Sequence, residues 1–224
     1  MCKPPKHPNS GADANVPCNG GPPPCPSPQA TPGLPASIPK TCTDAPKTIA
    51  IPKNVNDQFQ KLWGNSFPGG KSQESGGTIV RDHNGKDSVV NEGTGTSGTF
   101  SPNRTVSPGQ TVIGIFHTHP YDKSEGGYTG VSFSGADISI AANKREPDYV
   151  QSGNQQFMIM PTEETGKNLD YTKLNDDQNR RIQDLVNSGK DFSEASRIAA
   201  KETAQANKMA YYEGKDGVLQ RVSC

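Results

Sequence analysis

Apolar positions along this chain recur with two periods, and each period predicts an element. In NVNDQFQKLWGN, Val55, Phe59, Leu62 and Trp63 fall at i, i+4, i+7 and i+8, one face of a helix. Asn54 or Asn56 is the expected cap, Gly64-Asn65 the expected stop, and the single Trp lies on the apolar face, where core packing is expected. TIVRD and SVVNE flank HNGKD and read as a β-hairpin centred on Asn84-Gly85. A polar loop over 93–109 leads into TVIGIFHTH, whose β-branched and aromatic residues predict an interior strand stopped by Pro120.

SGADISIAANKR reads as a helix with Ser134 as N-cap and Asp137 at N3, and QQFMIMP as a short buried strand. Further on, Leu174, Ile182, Leu185 and Val186 take helical spacing up to Gly189. Asp191 and Glu194 form a capping signal ahead of ASRIAAKETAQANKMA, and AYYEGKDGVLQRV resembles two strands about Lys215-Asp216-Gly217. This order predicts an α+β fold, a mixed β-sheet with flanking helices.

Composition changes the picture at the N-terminus. Hydrophobic residues make up only 30% of the chain, and the deficit is uneven: 14 of the 20 prolines lie between Pro4 and Pro52. A segment with so few large apolar residues cannot offset its ordering entropy, which predicts a disordered, extended Pro/Gly/Cys-rich tail over 1–50. A core over 51–165 and C-terminal helices with a terminal hairpin packed on it, over 166–224, complete the expected organisation. Lys+Arg and Asp+Glu both total 23, so no broad attraction to nucleic acid or a membrane surface is expected. The first residues lack the apolar stretch of a conventional secretory signal, so export would need another route; otherwise the location is cytoplasmic. Cys2, Cys18, Cys25, Cys42 and Cys224 contain no C-x-x-C pair, which favours free thiols or one or two disulfides over a zinc knuckle.

The chemistry concentrates in GIFHTHPYDKSEGGYTGVSFSGAD. Side chains two apart on a strand face one side, so His117 and His119 point together and Thr118 points away. Alone, an H-x-H is commonly a pair of surface imidazoles. At a strand end, with Asp137 in the first turn of the next helix as third ligand, it provides two nitrogens and one carboxylate. That set leaves a fourth tetrahedral position open, as catalytic zinc requires.

His117-Thr118-His119-Pro120 followed by Ser134-Gly135-Ala136-Asp137 resembles the H-x-H-P…S-x-x-D signature of JAMM (JAB1/MPN) zinc metallopeptidases. Glu74-Ser75-Gly76-Gly77-Thr78-Ile79-Val80 has the form of the upstream glutamate and glycine-containing strand of that family, and the resemblance covers roughly 55–161. It implies a JAB1/MPN-like fold, Zn²⁺ held by His117, His119 and Asp137, Glu74 as general base, Ser134 as oxyanion donor, and hydrolysis of a peptide or isopeptide bond. Seventeen residues separate His119 from Asp137, longer than the family's usual spacing; the extra length is either a loop lining the site or a displacement of Asp137. QESGGTIVRDHNGK with FHTHP and FSGAD most resembles the JAB-like modules of bacterial polymorphic toxins and type VI-type effectors. That resemblance implies a secreted effector or toxin domain with a protein or peptide substrate, an immunity protein and a secretion-apparatus carrier as partners. The alternatives are a peptidoglycan peptidase and a catalytically silent JAB module that binds a protein. Of the remaining polar residues, His83 is expected to be solvated in its turn, and Arg180-Arg181 to lie on an exposed helix face. Asp122, Glu125 and Tyr128 lie in the long loop, where they either touch a substrate or, as loop carboxylates usually are, are only solvated.

Overall fold

The computed structural model describes residues 33–224; the expected tail up to residue 32, with Cys2, Cys18 and Cys25, lies outside the described residues. The strands are β1 (Thr48–Ala50), β2 (Ser75–Arg81), β3 (Asp87–Thr94), β4 (Thr111–Thr118), β5 (Asp148–Ser152), β6 (Gln155–Met160), β7 (Ala210–Lys215) and β8 (Val218–Ser223). The helices are α1 (Lys53–Gly64), α2 (Gly135–Lys144), α3 (Tyr171–Asn187) and α4 (Phe192–Ala206). All eight strands join one sheet in the order β1-β8-β7-β6-β5-β4-β2-β3. Every neighbouring pair is antiparallel except β4 and β5, which are parallel because α2 carries the chain back between them. The fold is therefore α+β with a mixed sheet, as the element order predicts.

Alternation along the strands sorts the core into two faces. Phe116, Tyr149, Met158 and Tyr212 pack with Val55, Phe59 and Leu62 of α1 on one face. Val150, Phe157, Ile159 and Tyr211 pack with Ile138 of α2 and Ala200 and Ala204 of α4 on the other. Phe59 stacks on Phe116 with ring centroids 3.8 Å apart, which fixes α1 over β4. His117 and His119 therefore face the helix pair, while the Thr118 hydroxyl turns toward α1 and meets Ser66 Oγ at 2.7 Å.

Five details differ from the sequence-based expectation. The folded region does not start at residue 51: Leu34, Cys42, Ala45 and Ile49 are buried, and β1 pairs with β8. Sparse apolar residues between prolines carry no readable period, yet each finds a place in the core. Arg81 and Asp87 hold this segment, with Arg81 donating to the Leu34 carbonyl at 2.6 Å and Leu34 N–H donating to Asp87 at 3.0 Å. The C-terminal hairpin, expected to pack on the core, continues the same sheet through the pairing of β7 with β6. Helix α1 starts two residues earlier than an Asn54 cap and four earlier than an Asn56 cap would set it, with Pro52 at the N-cap and no side-chain cap bond. Trp63 is half-buried against Phe67 rather than in the core, because it lies on the margin of the α1 stripe. Strand β5, absent from the sequence reading, is short and flanked by charged residues, and burial of all five of its residues defines it.

Cys42 and Cys224 form a disulfide spanning 182 residues, tying the segment before β1 to the end of β8. Closing so long a loop restricts the unfolded chain strongly. Replacing both cysteines with serine is expected to lower unfolding free energy by about 2–5 kcal/mol, measured by urea denaturation against the oxidised protein. Gly135 marks a second constraint: a methyl there meets the backbone carbonyl oxygen of Leu174 at 2.3 Å. Gly135→Ala is expected to cost about 1–3 kcal/mol in the same measurement, since α3 must move away from α2.

Candidate metal centre

The site forms where β4 ends and α2 begins, at the carboxyl end of the one parallel strand pair among the described residues. His119 lies one residue past β4, yet its backbone remains fixed: its N–H donates to the Gln151 carbonyl at 2.9 Å, and Ser152 Oγ donates to its carbonyl at 3.0 Å. Across the chain, Ser134 and Asp137 form a reciprocal capping box at the start of α2. The Ser134 N–H and hydroxyl both donate to Asp137 Oδ2, at 2.8 and 2.7 Å. That clamp holds the Asp137 carboxylate with Oδ1 3.6 Å from His117 Nε2 and Oδ2 3.4 Å from His119 Nε2.

The inner nitrogen of each imidazole already has a partner. His119 Nδ1 lies 3.0 Å from the Ser132 carbonyl, which can only accept, so the proton sits on Nδ1 and Nε2 carries the lone pair when the ring is neutral. His117 Nδ1 lies 3.3 Å from the Asp148 carboxylate, near enough for charge pairing though outside hydrogen-bond geometry. Both Nε2 atoms thus aim at one point, 3.0 Å from each other. His119 Nε2 and the Asp137 carboxylate present lone pairs to that point, which a proton on His117 Nε2 or a metal ion can satisfy. Ligands about 2.0–2.1 Å from a tetrahedral zinc stand roughly 3.3 Å apart, so the observed separations of 3.0, 3.4 and 3.6 Å fit that size. The His117, His119 and Asp137 triad can hold a metal ion.

Electrostatics points the same way. Burial pulls the His117 pKa down, but the Asp148 and Asp137 carboxylates outweigh burial and hold it well above the usual imidazole value. Burial pushes Asp137 up, and the two imidazoles reverse this, leaving it well below the usual carboxylate range. Asp148 is raised, since its burial exceeds the pull of His117.

Glu74 joins the site through strand register. Gly76 of β2 pairs with His117 of β4, so extending the antiparallel ladder by two residues sets Glu74 opposite His119 on the same face. The ladder can be this tight because a Cβ on Gly76 would fall 2.3 Å from the Phe116 carbonyl oxygen. Ser75 N–H donates to Thr118 Oγ1 at 2.9 Å, pinning β2 at this level. The Glu74 carboxyl is raised above its ordinary value, chiefly by burial, with the imidazoles pulling it partly back.

Glu74, His119, Ser134 and Asp137 line one cavity of about 670 Å³. All five residues singled out from the sequence are therefore brought together, with His117 behind His119 and buried. The extra residues after His119 form a loop that lines this cavity and leave Asp137 in place. Tyr121 and Tyr128 contribute to its wall, whereas Asp122 caps a 3-10 turn over Lys123–Glu125 and accepts from Ser72 N–H, and Glu125 accepts from the Ser72 hydroxyl. Burial, then Glu74 and Asp137, push the Tyr121 phenol up to about 12. His83 is exposed in its hairpin turn, and Arg181 pairs with Glu202 on an exposed face.

No family profile matches the chain, and no curated protein or solved structure matches it either. The site is therefore read from its own geometry.

Sequence reasoning missed the supports. Asp148 behind His117 has no local signature; the only hint is a carboxylate opening a wholly buried strand. The Ser132 carbonyl behind His119 is held by Ser132 N–H, which donates to Ser196 Oγ of α4 at 3.0 Å, so a C-terminal helix orients a ligand 77 residues away. Such supports raise ligand basicity and fix ring orientation. Asp148→Asn is expected to weaken divalent-metal binding about 10–100-fold in equilibrium dialysis of the chelator-stripped protein, while Asp137→Ala abolishes stoichiometric binding.

Proposed function

We propose that the protein is a zinc-dependent metallopeptidase of the JAMM type, hydrolysing a peptide or isopeptide bond. The observation that carries this reading is the convergence of two Nε2 atoms and one carboxylate on a point in a cavity that Glu74 also lines. Nitrogen and carboxylate donors suit zinc, and three protein ligands are the number a catalytic site uses. The β2–β3 hairpin, β4, α2 and β5 in that order support a JAB1/MPN-like core.

Zinc, when bound by His117, His119 and Asp137, supplies Lewis acidity that polarises a substrate carbonyl and acidifies water. The Glu74 carboxylate accepts a proton from the attacking water and delivers it to the leaving amine. Its burial suits that task, because a carboxyl raised above its ordinary value is a stronger base toward the attacking water. Ser134 rests in the cap, its hydroxyl on Asp137 Oδ2. Turned toward substrate, that hydroxyl donates to the developing oxyanion, while the Ser134 N–H keeps its own bond to Asp137. Asp148 and the Ser132 carbonyl keep both imidazoles aimed.

The biological setting we propose is a delivered bacterial effector or toxin, with an immunity protein and a secretion carrier as partners. The long-range Cys42–Cys224 disulfide supports action in an oxidising compartment. Glu74→Gln is expected to keep one zinc per chain and to lower peptide hydrolysis by about 10²-fold or more, measured with zinc content and cleavage on the same preparation. Full activity in that variant would remove Glu74 from the mechanism.

A further inference from the structure

The ion-holding residues occupy only part of the cavity. Much of its remaining wall is apolar: Tyr121 and Tyr128 from the long loop, Ile182 and Val186 from α3, and Phe192 from the first turn of α4. The three aromatic rings touch pairwise, with centroids 6.0 Å apart for Tyr121–Tyr128, 5.8 Å for Tyr121–Phe192 and 4.8 Å for Tyr128–Phe192. Ile182 and Val186 sit one helical turn apart, beside the seam that α3 forms with Ala195 and Ala199 of α4, and remain only half-buried there. Tyr128 is 40% exposed.

This wall is held rigidly against the metal centre. Gln178 of α3 donates to the Phe133 carbonyl at 2.6 Å, and Ser193 of α4 donates to the Thr129 carbonyl at 2.7 Å. With the Ser132–Ser196 bond, these contacts lock the α3–α4 pair to the segment whose carbonyl orients His119. Half-buried aromatic and branched side chains around a cavity of about 670 Å³, within the range of ligand pockets, gain free energy only when an apolar group covers them. A glycine at that place leaves the aromatic wall wet; a large side chain dries it.

We propose that Tyr121, Tyr128, Ile182, Val186 and Phe192 form a subsite that takes a bulky apolar side chain adjoining the scissile bond. The assignment rests on the hydrolase reading of the same cavity and names its substrate class: peptides with an aromatic or large aliphatic residue at one flanking position.

The test uses the zinc-loaded full chain on a proteome-derived peptide library, with cleavage sites read by mass spectrometry. Phe, Tyr, Leu, Met or Ile is expected to be enriched at one position beside the cut. Phe192→Ala and Ile182→Ala are each expected to lower the ratio of kcat/KM for a phenylalanine-flanked over a glycine-flanked peptide about tenfold, with Phe192→Leu restoring most of it. Cleavage with no apolar enrichment, or with a preference indifferent to these variants, overturns the subsite and leaves the hydrolase reading standing. If no peptide is cut, the hydrolase reading falls, and binding decides the pocket by itself. N-acetyl-phenylalaninamide at millimolar concentration should then shift the methyl resonances of Ile182 and Val186 where N-acetylglycinamide does not. Equal responses to both amides, or none to either, overturn it.

Discussion

Two imidazole Nε2 atoms, aimed at each other across 3.0 Å with a carboxylate closing the third side, set the terms for the surrounding structure. Each ring is turned by a partner at its other nitrogen, Asp148 for His117 and the Ser132 carbonyl for His119. With its proton on Nδ1, a neutral His119 presents a lone pair to the centre. Three buried or nearly buried carboxylates, Glu74, Asp137 and Asp148, add negative charge around them. Such a concentration is costly in a protein interior unless positive charge compensates it. A proton or a divalent ion at the centre meets that demand, and the Asp148 and Asp137 carboxylates hold the His117 pKa well above the usual imidazole value.

The fold meets this requirement with a few strongly constrained joints. Parallel pairing of β4 with β5 sets Asp148 opposite Ile115 and brings its carboxylate to His117. The antiparallel register with β2 carries Glu74 up to His119, and Gly76 lets the two strands approach closely at that level. The capping box of α2 serves two ends at once, satisfying the first turn of the helix and immobilising the Asp137 carboxylate. Because these joints belong to regular elements rather than to free loops, the donor atoms are held before any ion arrives. Such preorganisation lowers the cost of binding.

Beyond the metal ligands, the residues after 166 complete the cavity rather than decorate it. Helices α3 and α4 bring apolar side chains to its wall and, through Ser196, orient His119 from the far side. The long segment between His119 and Asp137 joins them, its two tyrosines facing the cavity while Asp122 and Glu125 anchor it to Ser72. Polar groups gather at the His117–His119–Asp137 end of the cavity and apolar groups around it, the division that small-ligand sites commonly show.

Much of this was legible in the order of residues. Periodicity, turn chemistry and caps act over a few positions, so α1, the β2–β3 hairpin, β4, the capped starts of α2 and α4, and the β7–β8 hairpin were all readable, as were the donor types at His117, His119 and Asp137. Long-range pairing left no local trace: the place of β1 against β8, the existence of β5, the burial of Leu34 and Ile49, and the supporting roles of Asp148 and Ser132 emerge only when distant segments meet. The sequence alone determined which atoms can bind an ion, because ligand chemistry belongs to the side chain. Tertiary structure decided that they converge on one point and that an aromatic wall stands beside them, because convergence depends on strand register and helix packing between segments far apart in the chain.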